Sequence, residues 1–117
     1  MALTWIEHEG KKILLNDFRS LTETAALAQL EEELALLERT PEKVRMLVDL
    51  SDLPIMTGFL ARARTLAPRI EKRLEKQAVL GIGGVKSMLL TGFNLLTPGV
   101  PLKPFPSEKA AKDYLAS

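Results

Sequence analysis

Three short apolar runs punctuate this chain: Ile13-Leu14-Leu15, residues 44–50 and residues 77–82, each separated from the next by a long stretch of helical spacing. An apolar run without polar alternation reads as a strand covered on both faces. Parallel neighbours of that kind need a crossover of a dozen or more residues, usually a helix. The alternation therefore predicts an α/β chain, with a mostly parallel sheet of about five strands, helices on its faces and right-handed crossovers.

Around these runs the remaining elements can be placed. In residues 3–8, Thr4, Trp5 and Ile6 favour extended backbone, and Glu9-Gly10 turns the chain into residues 12–18. The pair predicts an opening antiparallel hairpin with Gly10 at positive φ. Ser20 or Thr22 caps the first helix, and Ser20 with Glu23 fits a Ser-x-x-Glu capping box. Leu27, Leu30, Leu34 and Leu37 form its buried stripe, and Pro41 marks its stop. After the loop Ser51-Asp52-Leu53-Pro54, a second helix begins near Met56 or Thr57 and carries Phe59, Ala63, Leu66, Ile70 and Leu74 on one face. Pro68 lies inside that pattern and predicts a kink or a break into two helices. Val85, Met88, Leu89, Phe93 and Leu96 give a third stripe, ended by Pro98-Gly99. Residues 100–105 extend only as an edge strand, since Pro101 and Pro104 donate no ladder hydrogen bond. Ser107 caps a last short helix ending at Tyr114 and Leu115. The expected order is β-β-α-β-α-β-α-β-α, with about four helices, in a single domain over 1–117.

The 117 residues, 46% hydrophobic and 26% charged, suit one globular core. The longest uncharged stretch, 87–102, is interrupted by Gly92, Asn94, Gly99 and two prolines, so it falls short of the about 20 apolar residues of a membrane span. No transmembrane segment is expected. The start, Met1-Ala2-Leu3-Thr4-Trp5, lacks the basic region and long apolar run of a secretory signal. The absence of cysteine removes disulfides and thiolate metal sites, and fits a cytoplasmic setting. A net charge of +1 supplies no field for nucleic acid, and a single basic helix without an aromatic platform argues the same way. Charge is nevertheless segregated. Residues 19–40 hold five Glu against two Arg, and residues 60–76 hold six Lys or Arg against two Glu. These are two solvated helix faces of opposite sign, or else Arg62, Arg69, Lys72, Arg73 and Lys76 form a basic docking face for an acidic partner or an anionic membrane.

Little here can do chemistry. His8 is the one histidine, and without Cys a transition metal would have to rely on carboxylates, a poor set for zinc. No Gly-x-Ser-x-Gly elbow exists, so neither an enzyme, a metal nor a cofactor is expected, and His8 reads as a hairpin surface residue. Gly81-Ile82-Gly83-Gly84 leads from a strand into a helix, as an anion-cradling turn or a tight packing turn, with Lys86-Ser87 close by. Asp49, Ser51, Asp52 and Thr57 gather at the carboxyl end of the central strand, where open α/β sheets bind ligands. The plainer alternative is that Ser51 and Asp52 end the strand and Thr57 caps a helix. Met46, Met56 and Met88 line an adaptable apolar pocket or fill the core.

Val48-Asp49-Leu50-Ser51-Asp52-Leu53 followed by Met56-Thr57-Gly58 resembles the core of STAS domains, the fold of sulfate-transporter tails and anti-sigma-factor antagonists. The wider layout resembles small bacterial SpoIIAA-like proteins of the STAS/SEC14 type. The likeness lies in the opening hairpin, in Ala78-Val79-Leu80-Gly81 after the Pro-containing helix, in Phe105 and in the closing Glu108-Lys109-Ala110-Ala111-Lys112. It implies a SpoIIAA-like sandwich and places a ligand or partner site at Ser51, Asp52, Met56, Thr57, Gly58, Gly83 and Gly84. Phosphorylated antagonists carry a Ser or Thr at that helix start, and Thr57 is the matching position. Their usual Asp-Ser-Ser/Thr-Gly run is here Met56-Thr57-Gly58.

Two functions are compatible with these readings. One is a non-enzymatic regulatory module of the antagonist type, with a stoichiometric protein partner; phosphate on Thr57 would add close to two negative charges at a helix N-terminus. The other is a SEC14-like carrier or sensor of a small apolar or lipid ligand, with the uncharged helix at 87–96 folded over it, which requires a cavity of roughly 300 Å³ or more. Self-association through Trp5 or an apolar edge strand would give a homodimer.

Overall fold

The computed structural model describes residues 3–96 and 99–117, with the side chains of all but Val85, Leu95 and Leu96. Met1-Ala2 and Pro98, half of the stop expected for the third helix, lie outside the described residues. Strands β1 (Leu3–His8) and β2 (Lys11–Asp17) form the opening hairpin. Glu9 (φ 50°) and Gly10 (φ 79°) are both left-handed, which is the two-residue turn whose twist matches that of the strands. Next come α1 (Glu23–Glu38), β3 (Val44–Asp49), α2 (Thr57–Glu71), β4 (Leu74–Leu80), α3 (Val85–Leu96), β5 (Leu102–Pro104) and α4 (Glu108–Ala116). The sheet runs β1-β2-β3-β4-β5, antiparallel only between β1 and β2. Three-residue β5 lies at the edge, where Pro104 leaves no ladder partner wanting.

Strand order equal to chain order has a consequence for layering. Each right-handed crossover steps the same way, so α1, α2 and α3 fall on one face of the sheet. The core divides accordingly. Leu14 and Phe18 of the β2 side, Met46 and Val48 of β3 and Val79 of β4 pack with Leu30, Leu37, Phe59, Ile70 and Leu90 of the three helices. On the other face Ile13, Leu47, Ala78 and Leu80 pack against Ala111 and Leu115 of α4 alone.

Three local readings are narrowed or corrected. Ser20 sits at φ 58° in the loop and does not cap α1; Thr22 does, its Oγ1 accepting from Ala25 N–H at 3.2 Å. Helix α2 is one element through Pro68, not two. Proline there costs about 3 kcal/mol, but it falls in the last turn between buried Leu66, Ala67 and Ile70. Burial of each large apolar side chain contributes about 1.5–3 kcal/mol, enough to hold the turn. Leu74 does not belong to that helix: it opens β4, three residues ahead of the expected strand start, and it is buried there.

At the carboxyl end of the sheet, Leu50 N–H donates to Leu80 C=O at 2.9 Å, so the turns leaving β3 and β4 lie side by side. Gly81 makes that contact possible. Its φ is 85°, and a Cβ there would stand 2.3 Å from Ser51 N and 2.6 Å from Ser51 Cα. Backbone cannot yield as a side chain can. Gly83, by contrast, has open space around it. Gly81→Ala is expected to cost on the order of 3 kcal/mol in urea unfolding, with Gly83→Ala within about 0.5 kcal/mol of wild type.

Candidate functional site

Helix α3 is rich in apolar residues, yet little of its described surface is buried. Among its described side chains only Leu90 is buried, while Met88 is 76% and Leu89 39% exposed. Ile55, in the loop before α2, is 47% exposed. Beneath this rim, between α2, α3 and the sheet, lies a half-open cleft of about 140 Å³. Met56, Phe59 and Ala63 form its α2 wall, Leu90 and Phe93 its α3 wall, and Met46 and Val48 its floor. This volume is below the roughly 300 Å³ expected of a carrier enclosing a whole ligand. It corrects that expectation to a cleft that takes one benzene-sized group, for which about 150 Å³ suffices.

Four polar residues reach this otherwise apolar lining: Glu33, Glu71, Gln77 and Lys86. Glu33 is buried on α1, where Asn16 Nδ2 donates to its Oε1. Gln29 Nε2 in turn donates to Asn16 Oδ1 (2.5 Å) and to Asp17 C=O (2.8 Å), so the three side chains form one network inside the core. Burial pushes the Glu33 carboxyl up to about 8, against the lowering effect of the Asn16 bond. Burial also raises Glu71, whose Oε1 has no hydrogen-bond partner among the described residues. Gln77 donates to Val100 C=O at 2.8 Å. Lys86 Nζ donates to Leu50 C=O at 3.0 Å and to Gly81 C=O at 3.5 Å, linking the ends of β3 and β4.

Of the residues singled out in the sequence as a ligand or partner site, only Met56 lines this cleft. Ser51 and Asp52 end β3: Ser51 N–H donates to Asp49 Oδ1 at 2.9 Å, and Asp52 is an exposed turn residue at φ 57°. Gly83 and Gly84 open α3, their carbonyls accepting from Lys86 and Ser87 N–H. Thr57 is the exposed first residue of α2 and not its cap; the N-cap is Met56, which has no side-chain bond to give. The cap comes from another helix. Glu23 Oε2 of α1 accepts from Phe59 N–H at 3.1 Å, and a Cβ at Gly58 would lie 2.9 Å from that oxygen. Gly58 is thus the space through which Glu23 reaches α2. Met88, expected in a pocket wall or in the core, points outward.

The basic residues do not make one docking face, which corrects that expectation. Arg62 pairs with Glu31 at 2.9 Å and Arg69 with Glu38 at 2.9 Å, so the acidic and basic helices face each other. Arg73 donates to Leu37 and Thr40 C=O at the carboxyl end of α1. Lys76 points to the opposite side of the sheet, donating to Tyr114 and Ser117 C=O at the end of α4. Lys72 is exposed. His8 is more than a surface residue: its Nε2 lies 2.8 Å from Asp113 Oδ1 and ties the hairpin to α4. Its ring, Glu9 and Asp113 could converge on a cation, their ligand atoms lying within 4.8 Å of one another. Lys109 holds the second Asp113 oxygen at 2.7 Å, and with His8 it keeps that carboxyl below its ordinary value. Trp5 is 36% exposed on β1, with Lys12 Nζ 4.8 Å above its ring.

A five-stranded mixed sheet with three crossover helices on one face and a closing helix on the other is the SpoIIAA-like fold. An uncharacterized protein of the DUF3478 family from Shewanella loihica PV-4, with a SpoIIAA-like fold, superimposes with a TM-score of 0.67 at 18% identity, over 97% of this chain and 92% of that one. No protein-family model and no curated protein matches the sequence. Among the described residues no helix is long and apolar enough to cross a membrane.

The cleft acids missed in the sequence had one signal. Glu33 falls three residues after Leu30 and four before Leu37, on the buried stripe of α1. Its raised carboxyl has a defined effect on stability. The native protein keeps the proton between the ordinary 4.5 and about 8, where the unfolded chain has lost it. Its contribution is therefore complete below about pH 4.5 and lost as pH rises to about 8. Glu33→Gln keeps an acceptor for Asn16 and cannot ionise. Urea unfolding at pH 5 and pH 8 is expected to show wild type losing a few kcal/mol more than Glu33→Gln.

Proposed function

We propose that the protein is a non-catalytic sensor of a small apolar ligand, one group of which is held in the cleft between α2 and α3. The observation that supports this reading is the apolar, half-open cleft itself, rimmed by Ile55, Met88 and Leu89. Exposed apolar side chains gathered around a concave apolar surface mark ligand sites more often than incidental exposure. A benzene-sized ring or a length of hydrocarbon would fill the space and leave the rest of the ligand at the mouth.

The antagonist-type reading, with Thr57 as a phosphate acceptor, has weaker support. The Glu23 carboxylate already stands at the N-terminus of α2. A phosphate on Thr57 would bring close to two further negative charges beside it, and like charges there repel.

The test uses a neutral fluorophore, N-phenyl-1-naphthylamine, whose emission rises in apolar surroundings. Wild type is expected to bind it. Ala63→Phe, which fills the α2 wall, is expected to weaken binding at least about tenfold with the unfolding midpoint kept. Equal binding by the two proteins would place the fluorophore elsewhere and overturn the reading.

A further inference from the structure

We infer that the ligand of this cleft is a single-chain amphiphile with an anionic head, a fatty-acid-type carboxylate, which sits on Lys86 while its hydrocarbon runs beneath α3. The inference rests on the cleft reading above and adds the ligand's charge and orientation.

Three ionisable side chains line the cleft, Glu33, Glu71 and Lys86. Burial raises both carboxyls, and among the described residues Lys86 is the one cationic side chain of this lining. Its ammonium has three N–H donors, and two of them go to the main-chain carbonyls of Leu50 and Gly81. Among the described residues no carboxylate pairs with it, unlike Arg62 and Arg69 on α2. The third donor is available to an anion.

Lys86 also lies in the first turn of α3, next to the Gly83-Gly84 turn. The partial positive charge of a helix start acts there in the same direction as the ammonium. From Lys86 to Phe93 the helix advances about 10 Å, and Leu89, Leu90 and Phe93 line the cleft along that length. Charge at one end and hydrocarbon along the rest is the complement of a medium-chain carboxylate.

The experiment compares octanoate, 1-octanol and octylamine by isothermal titration calorimetry on wild type, Lys86→Gln and, as a control for general charge, Lys72→Gln. A charge-assisted hydrogen bond is expected to favour octanoate over 1-octanol by about tenfold in wild type. Lys86→Gln should abolish that preference while still binding 1-octanol, and Lys72→Gln should keep it. Equal affinity for octanoate and 1-octanol in wild type would overturn the anionic head and leave the cleft reading standing. Preference for octylamine would overturn it in favour of Glu71, whose unpartnered oxygen would accept from an ammonium. Failure of all three probes to bind would overturn both readings together.

Discussion

Because every parallel step in this sheet moves one strand in the same direction, the right-handed crossover forces α1, α2 and α3 onto a single face. That constraint sets how the whole molecule packs. Two of the helices, α1 and α2, settle against each other with Phe18 and Phe59 edge to face beneath them, ring centroids 5.3 Å apart. The third arrives over β4 and the three-residue β5, where the sheet offers least surface. It covers the core without being covered, and the cleft is the space left between it and α2. On the other face a single nine-residue helix closes four strands, β1 to β4.

The charges serve this packing before they serve any partner. Arg62 and Arg69 meet the acids of α1, Arg73 takes the carbonyls at the end of α1, and Arg45 and Lys76 take those at the end of α4. Cations at helix carboxyl ends and acids at amino ends are favoured by the helix dipole. Glu23 fulfils the second role for α2 from a neighbouring helix, which is why its partner needs Gly58. A chain of net charge +1 devotes most of its apparent segregation to internal order. Each exposed pair contributes little, about 0–1 kcal/mol, so their role here is orientation of α1 on α2.

What was legible in the sequence is what local periodicity and turn chemistry encode. The hairpin, the buried central strands, the edge strand with its prolines and the Ser107 cap are all dictated by residue type within a few positions. What was illegible depends on distant contact. Nothing in Ser20-Leu21-Thr22-Glu23 says that the acid will reach past its own helix to Phe59. Gly81 reads no differently from Gly83 until the Ser51 backbone is laid against it. Helical stripes of like strength at Phe59 and Phe93 do not tell which helix will be clamped and which left half-covered. The cleft is a property of that difference. Of the site residues drawn from strand ends and loops only Met56 lines it, together with Met46 and the helix at 87–96 that the sequence offered as a pocket wall and a cover.

The buried acids bear on how such a cleft keeps its shape. A carboxyl in an apolar interior costs stability wherever the unfolded chain would ionise it, and Glu33 carries that cost across the neutral range. A packing function alone would be met by leucine at that stripe position. The Asn16–Gln29–Glu33 network instead satisfies polar atoms at the base of the cleft, and a fully connected network fixes side chains more uniquely than apolar packing does. Met46 and Val48 lie buried in the sheet beneath the cleft, whereas α3 buries only Leu90 among its described side chains.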